Sequence, residues 1–250
     1  MAIWIWITII AAISQSFRTA QQKNLKNRLG DFGASFVRFS YAIPFAWSWL
    51  LFYCFVTNSS LPPLNYEFGF WVTSAGVLQI IFTVLLIKLF SHRSFAAGTA
   101  FSKTEVIQVA IFEAVIIGYV VSFQVGVAII LGFIAIVLLS VVKGQVSLSN
   151  LVNSLSTRQA ALGVTSGAFL ALCSVCFRAA TDSLNGDDLI VKAGCTLGIS
   201  LIIQTTLMGF WMKKHAEREL ILTFREWRSS SIVGFFGALH PQAQKSLDIN

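Results

Sequence analysis

The chain has 250 residues, 56% of them hydrophobic and only 12% charged, about half the charged share of an average soluble domain. With a mean hydropathy of +0.74, this excludes a water-soluble globule and points to an all-α polytopic membrane protein. The net charge of +7 comes from basic residues scattered between apolar runs, so nucleic acid is not an expected partner.

The apolar runs come in order. Met1 to Ile13 is apolar from its first residue and carries Trp4 and Trp6. It reads as a first span, not as a leader with a basic start and a cleavage site. Further spans are predicted at Phe32 to Phe55, Phe68 to Leu89, Phe95 to Ile117, Phe123 to Val142, Gln159 to Ala180 and Leu189 to Met212. Each of these has about 20 residues, which at ~1.5 Å per residue crosses a ~30 Å hydrocarbon core. About seven complete spans result. An eighth run, Ile232 to Leu239, is too short to cross before His240-Pro241; it reads as a re-entrant segment or as the start of a span that has been cut short.

The charges orient these spans. Lys23, Lys26, Arg28, Lys88, Arg93, Lys143, Arg158, Lys213, Lys214, Arg218, Arg225 and Arg228 fall in loops of one side, while the other side has only Lys192 and Lys245. Basic loops stay in the cytoplasm, so the N-terminus is expected outside in a multi-pass cell (inner) membrane protein.

The two halves contain a local match. Ser14-Gln15-Ser16-Phe17-Arg18-Thr19-Ala20 faces Ser174-Val175-Cys176-Phe177-Arg178-Ala179-Ala180, and Gly30-Asp31 faces Gly186-Asp187. Five spans precede the second copy, so it enters the membrane from the opposite face, as inverted repeats do.

In Thr99-Ala-Phe-Ser-Lys103-Thr-Glu105-Val-Ile-Gln-Val-Ala, and on through Ile116-Ile117-Gly118-Tyr119 and Gln124-Val-Gly126 to Gly132, the chain resembles the EamA-type carriers of the drug/metabolite transporter superfamily. Tyr119 stands where that family commonly has Glu, so the turn carboxylate is missing here. The resemblance implies an inverted five-helix repeat in a 5+5 pattern. Residues 1–142 would form the first repeat, 143–158 a cytoplasmic linker, and 159–250 an incomplete second repeat with spans six, seven and the start of eight. It also implies alternating access around a midplane site and a small-molecule substrate.

Ionisable side chains within the spans are the candidate substrate or coupling-ion residues, since each costs about 2.5–3.5 kcal/mol at a helix centre. Lys103 and Glu105 lead, at roughly 12–15 Å from the start of their span. Two positions apart, they diverge around the helix and cannot simply neutralise each other. Substrate contact or proton coupling is one reading of them, and a structural interhelical ion pair the other. Glu113, two turns further on, is placed nearer the outer end, where it would pair with a neighbouring helix. Arg18, Arg38 and Arg178 read as side chains that snorkel to the interface, or, for Arg18 and Arg178, as symmetry-related gates of the two faces.

Other features read as structural. Cys173 and Cys176, in an apolar helix, are packing residues. Gly194 and Gly198 form a small-residue helix contact, and Pro44 should kink the second span. His92, His215 and His240 have no metal spacing, so no cofactor, metal or enzyme activity is expected. The leading function is therefore transport of small metabolites or drugs. The alternative is a non-transporting membrane protein, an inert paralogue or one that assembles as a homodimer or with other helices in the lipid bilayer.

Overall fold

The computed structural model describes residues 3–89, 104–118, 122–142 and 158–235, and among them every regular element is helical. In chain order these are α1 (Ile3–Ser40), α2 (Ile43–Thr57), α3 (Tyr66–Leu89), α4 (Glu105–Phe112) with a π-helical turn over Glu113–Ile117, α5 (Phe123–Val142), α6 (Arg158–Asp182), α7 (Leu189–His215) and α8 (Glu217–Arg225). A last helical stretch covers 227–235. Among the described residues four segments are long and apolar enough to cross a bilayer: Asn24–Thr57, Tyr66–Leu89, Ala161–Asp182 and Leu189–His215. The helices α3, α5, α6 and α7 cover the corresponding predicted spans almost residue for residue. Residues 143–157 of the predicted linker, the first part of the fourth predicted span and the residues after 235 lie outside the described residues, and Arg158, the linker's last residue, begins α6.

The first two predicted spans are divided differently. Lys23, Lys26 and Arg28, expected in a loop, are helical and belong to α1. The reason is local: Gln21 to Leu29 contains neither Gly nor Pro, and Gln, Lys, Leu and Arg are good helix formers whatever their polarity. The break comes at Gly30, with φ 78 and ψ −177, a conformation open essentially to glycine alone. A second break falls at Tyr41-Ala42, inside the predicted second span, and Pro44 sits in the first turn of α2. A proline here lacks the N–H that would bond back across the break and clashes with the preceding turn, so the helix restarts instead of continuing.

The described residues of Met1–Gly76 and Ala179–Asn250 form one compact unit, and those of Val77–Arg178 a second. In the first unit, Leu50, Phe68, Val72, Ala180, Leu184, Val191 and Cys195 make a buried apolar cluster, with Trp47, Tyr53 and Trp71 packed against it. Small residues let α2 and α7 approach. A Cβ on Gly194 would lie 2.8 Å from Leu50 Cδ1, and one on Gly198 2.9 Å from the Trp47 indole. The two glycines therefore serve the close helix contact that their spacing predicts. The turn between α6 and α7 is tied to the start of α3 by Asn65, which donates to the Ser183 carbonyl (2.6 Å) and accepts from Phe68 N (2.7 Å).

The same unit contains a helix end capped from far away in sequence. After the break at Gly30, the first N–H groups of the restarting helix have no intrahelical carbonyl to bond. The Glu219 carboxylate of α8 takes two of them, accepting from Phe32 N and Gly33 N at 2.9 Å each through the same oxygen. A Cβ at Gly30 would run into that carboxylate. Around it, Lys26 pairs with Asp31 (3.1 Å) and Arg28 with Glu226 (3.3 Å). Gln22 donates to the Ala34 carbonyl (3.0 Å), and the Tyr41 hydroxyl to the Thr223 carbonyl (2.9 Å). Leu25, Leu29, Val37 and Val233, with Tyr41 and Leu222, form the apolar cluster beneath. By contrast, α7 is capped by its own neighbour: Asp188 Oδ1 accepts from Ile190 N (2.9 Å) and Val191 N (3.2 Å). Gly186, which matches Gly30 in the sequence comparison, also has a positive φ, 125.

In the second unit, Phe82, Ile87, Leu89, Ala171, Cys173, Val175 and Cys176 are buried. Both cysteines are free thiols.

Candidate functional site

The second unit carries an ion pair between two helices rich in apolar residues. At Glu113 the chain leaves the α-helical register for one π-helical turn, which ends at Gly118 in the left-handed region, φ 77. Gly118 tolerates that conformation without strain, and single π-turns in helices are frequent at functional sites. Glu113 Oε1 accepts from Arg178 Nη1 at 3.1 Å. The glutamate side chain is 14% exposed and the arginine 35%. Arg178 belongs to the apolar segment Ala161–Asp182, where a lone guanidinium would be costly in lipid, and the carboxylate offsets that cost. Glu113 therefore has the neighbouring-helix partner expected of it. Arg178, for which the sequence offered snorkelling or a gating role, is held by a carboxylate.

Lys103 lies outside the described residues. Glu105 stands in the first turn of α4, next to Thr104, whose hydroxyl accepts from Gln108 Nε2 at 3.0 Å. An acidic residue in a first turn suits the helix dipole. Arg18 lies on α1, and its side chain is outside the described part. Arg38 occupies the last turn of α1 and is half-buried. Among the described residues, Glu113 and Arg178 are two candidates that meet.

The sequence reading missed a polar stripe in the first unit. Thr196, Ser200 and Gln204 follow each other at intervals of four along α7 and are all buried. Gln204 Nε2 donates to Ser200 Oγ (2.7 Å), and Thr181 Oγ1 to Thr196 Oγ1 (3.3 Å). The spacing of four puts them on one helical face and was readable, but a search for charges passes over neutral polar groups. An open groove of about 480 Å³ runs beside Tyr66, Gly69, Phe70, Thr73 and Ser74; it has no charged lining. No protein-family model matches the chain, and no curated protein or solved structure is similar to it.

Proposed function

We propose that this chain is a multi-pass membrane carrier of the EamA drug/metabolite kind, which moves a small molecule by alternating access with its basic loops in the cytoplasm. The observation that carries the reading is the Arg178–Glu113 pair. A structural helix bundle has little use for two ionised groups in an apolar stretch, whereas a carrier needs an electrostatic contact that can be exchanged. A carboxylate or phosphate on a substrate would take the place of Glu113 on the guanidinium, which can offer two parallel N–H bonds. Neutralising Glu113 with a proton would likewise release Arg178, so the same pair suits substrate binding or coupling. The π-turn bearing Glu113 supports the reading, because single π-turns in helices are frequent at functional sites.

A second reading has its own observation. The pair is self-satisfied, and α2 and α7 pack closely at Gly194 and Gly198, which also suits a membrane protein that braces helices and transports nothing. Uptake into proteoliposomes separates the two. The panel comprises radiolabelled amino acids, nucleosides, organic phosphates and an organic cation. Carrier activity appears as accumulation of one member above empty vesicles, severalfold weaker in Glu113→Gln and in Arg178→Gln at unchanged helical content. A correctly inserted protein that moves none of them, or whose transport ignores both substitutions, removes the pair from any transport mechanism.

A further inference from the structure

Two faces of α8 differ in kind. The inward face, with Glu219, Leu222 and Thr223, is held against α1 by the contacts described above. The outward face presents Arg218, Ile221, Phe224 and Arg225, and Trp227 and Arg228 follow directly. Ile221, Phe224 and Trp227 are 60%, 63% and 56% exposed. The Arg228 guanidinium lies over the Trp227 ring, 5.5 Å from its centroid. Lys213 and Lys214, at the end of α7, are also exposed. The nearby carboxylates are already engaged: Glu219 with two backbone N–H groups of α1, and Glu226 with Arg28. Glu217, exposed at the start of α8, is the other carboxylate of that helix. A single residue, Ala216, separates α8 from α7.

We propose that the outward face of α8, with Trp227 and Arg228, is a docking surface for anionic phospholipid headgroups. This rests on α7 crossing the bilayer, because α8 then starts, one residue on, where α7 leaves the hydrocarbon. An aqueous polyanion would satisfy the cations but leave Ile221, Phe224 and Trp227 in water. The headgroup region satisfies both, with the apolar side chains lowered toward the acyl chains and the arginines turned up to the phosphates. The paired Arg228–Trp227 arrangement fits that boundary, where an indole and a cation prefer to sit. Each cation brought to an anionic surface adds about fivefold in association at low salt, and the preference decays as salt shortens the screening length.

The full-length chain in vesicles tests this. Tryptophan emission is quenched by phosphatidylcholine or by phosphatidylglycerol carrying brominated acyl chains, and a Trp227→Phe variant isolates the contribution of Trp227. The expected result is that Trp227 is quenched severalfold more effectively by the brominated phosphatidylglycerol, that salt reduces the difference, and that Arg218→Gln/Arg225→Gln/Arg228→Gln abolishes it. Among the described residues these arginines hold no carboxylate, so the triple variant should fold, and unchanged circular dichroism would verify that. Equal quenching by the two lipids overturns the docking surface while leaving the membrane reading intact. Trp227 dark to both lipids, with other tryptophans quenched, places α8 in water and likewise overturns it. No quenching of any tryptophan removes the membrane reading itself.

Discussion

Replacing Glu219 probes the bend in α1 directly. Glu219→Ala deletes the acceptor of two backbone N–H groups, Phe32 and Gly33, and leaves the restarting helix with an open first turn. Hydrogen bonds to a charged group contribute about 1.5–3 kcal/mol each, and loss of a helix cap costs about 0.5–2 kcal/mol. The two bonds share one oxygen of a half-buried carboxylate, and water can replace part of what is lost. A destabilisation of about 2 kcal/mol is therefore expected. Glu219→Gln keeps one acceptor oxygen without the charge and should lose about half as much. For a chain of this size the alanine variant corresponds to a fall of about 4–8 °C in midpoint. The assay is a thermal scan of detergent-solubilised protein at one fixed heating rate, because such proteins unfold irreversibly and only variants scanned alike can be compared. An alanine variant that melts with the parent, or a glutamine variant that loses as much as alanine, would refute the capping argument.

Further outcomes are expected elsewhere. Gly198→Ala should lower the midpoint, because its new Cβ meets the Trp47 indole at 2.9 Å and overpacking costs about 1–3 kcal/mol. Gly69→Ala, where nothing lies within 4 Å, should raise it through the roughly 0.5–1 kcal/mol preference of a helix for alanine over glycine; the two changes moving in the same direction would contradict the packing described. Once a transported molecule is known, Glu105→Gln should reduce its uptake if that carboxylate takes part, and equal uptake would remove Glu105 from the mechanism.

The spans that were legible share one property. For α3, α5, α6 and α7, the apolar run and the helix have ends that agree within three residues, because burial and helix formation are driven by the same residues. They part company in α1. Hydropathy reports which residues tolerate lipid, and Gln21 to Arg28 do not; helix propensity reports which residues tolerate the helix, and these do. Gly194 and Gly198 were readable from spacing alone, since close approach has no other economical solution. Glu113 was assigned a partner in general terms, but nothing local to residue 113 says that the partner is residue 178. Glu219 left no signal at all. In the sequence it is one charge in a basic loop, and its role exists only because Gly30, 189 positions earlier, opens a helix end beside it.

That distance has a consequence for how the chain is made. The start of α7 carries its own stopper in Asp188, a few atoms away along the backbone, so it can settle as soon as it leaves the ribosome. The bend at Gly30 has to wait: synthesis runs from the N-terminus, and the residue that closes it emerges only after nearly all of the other described helices. Until then the bend in α1 is a hinge without its pin, and a helix translated much later fixes its angle.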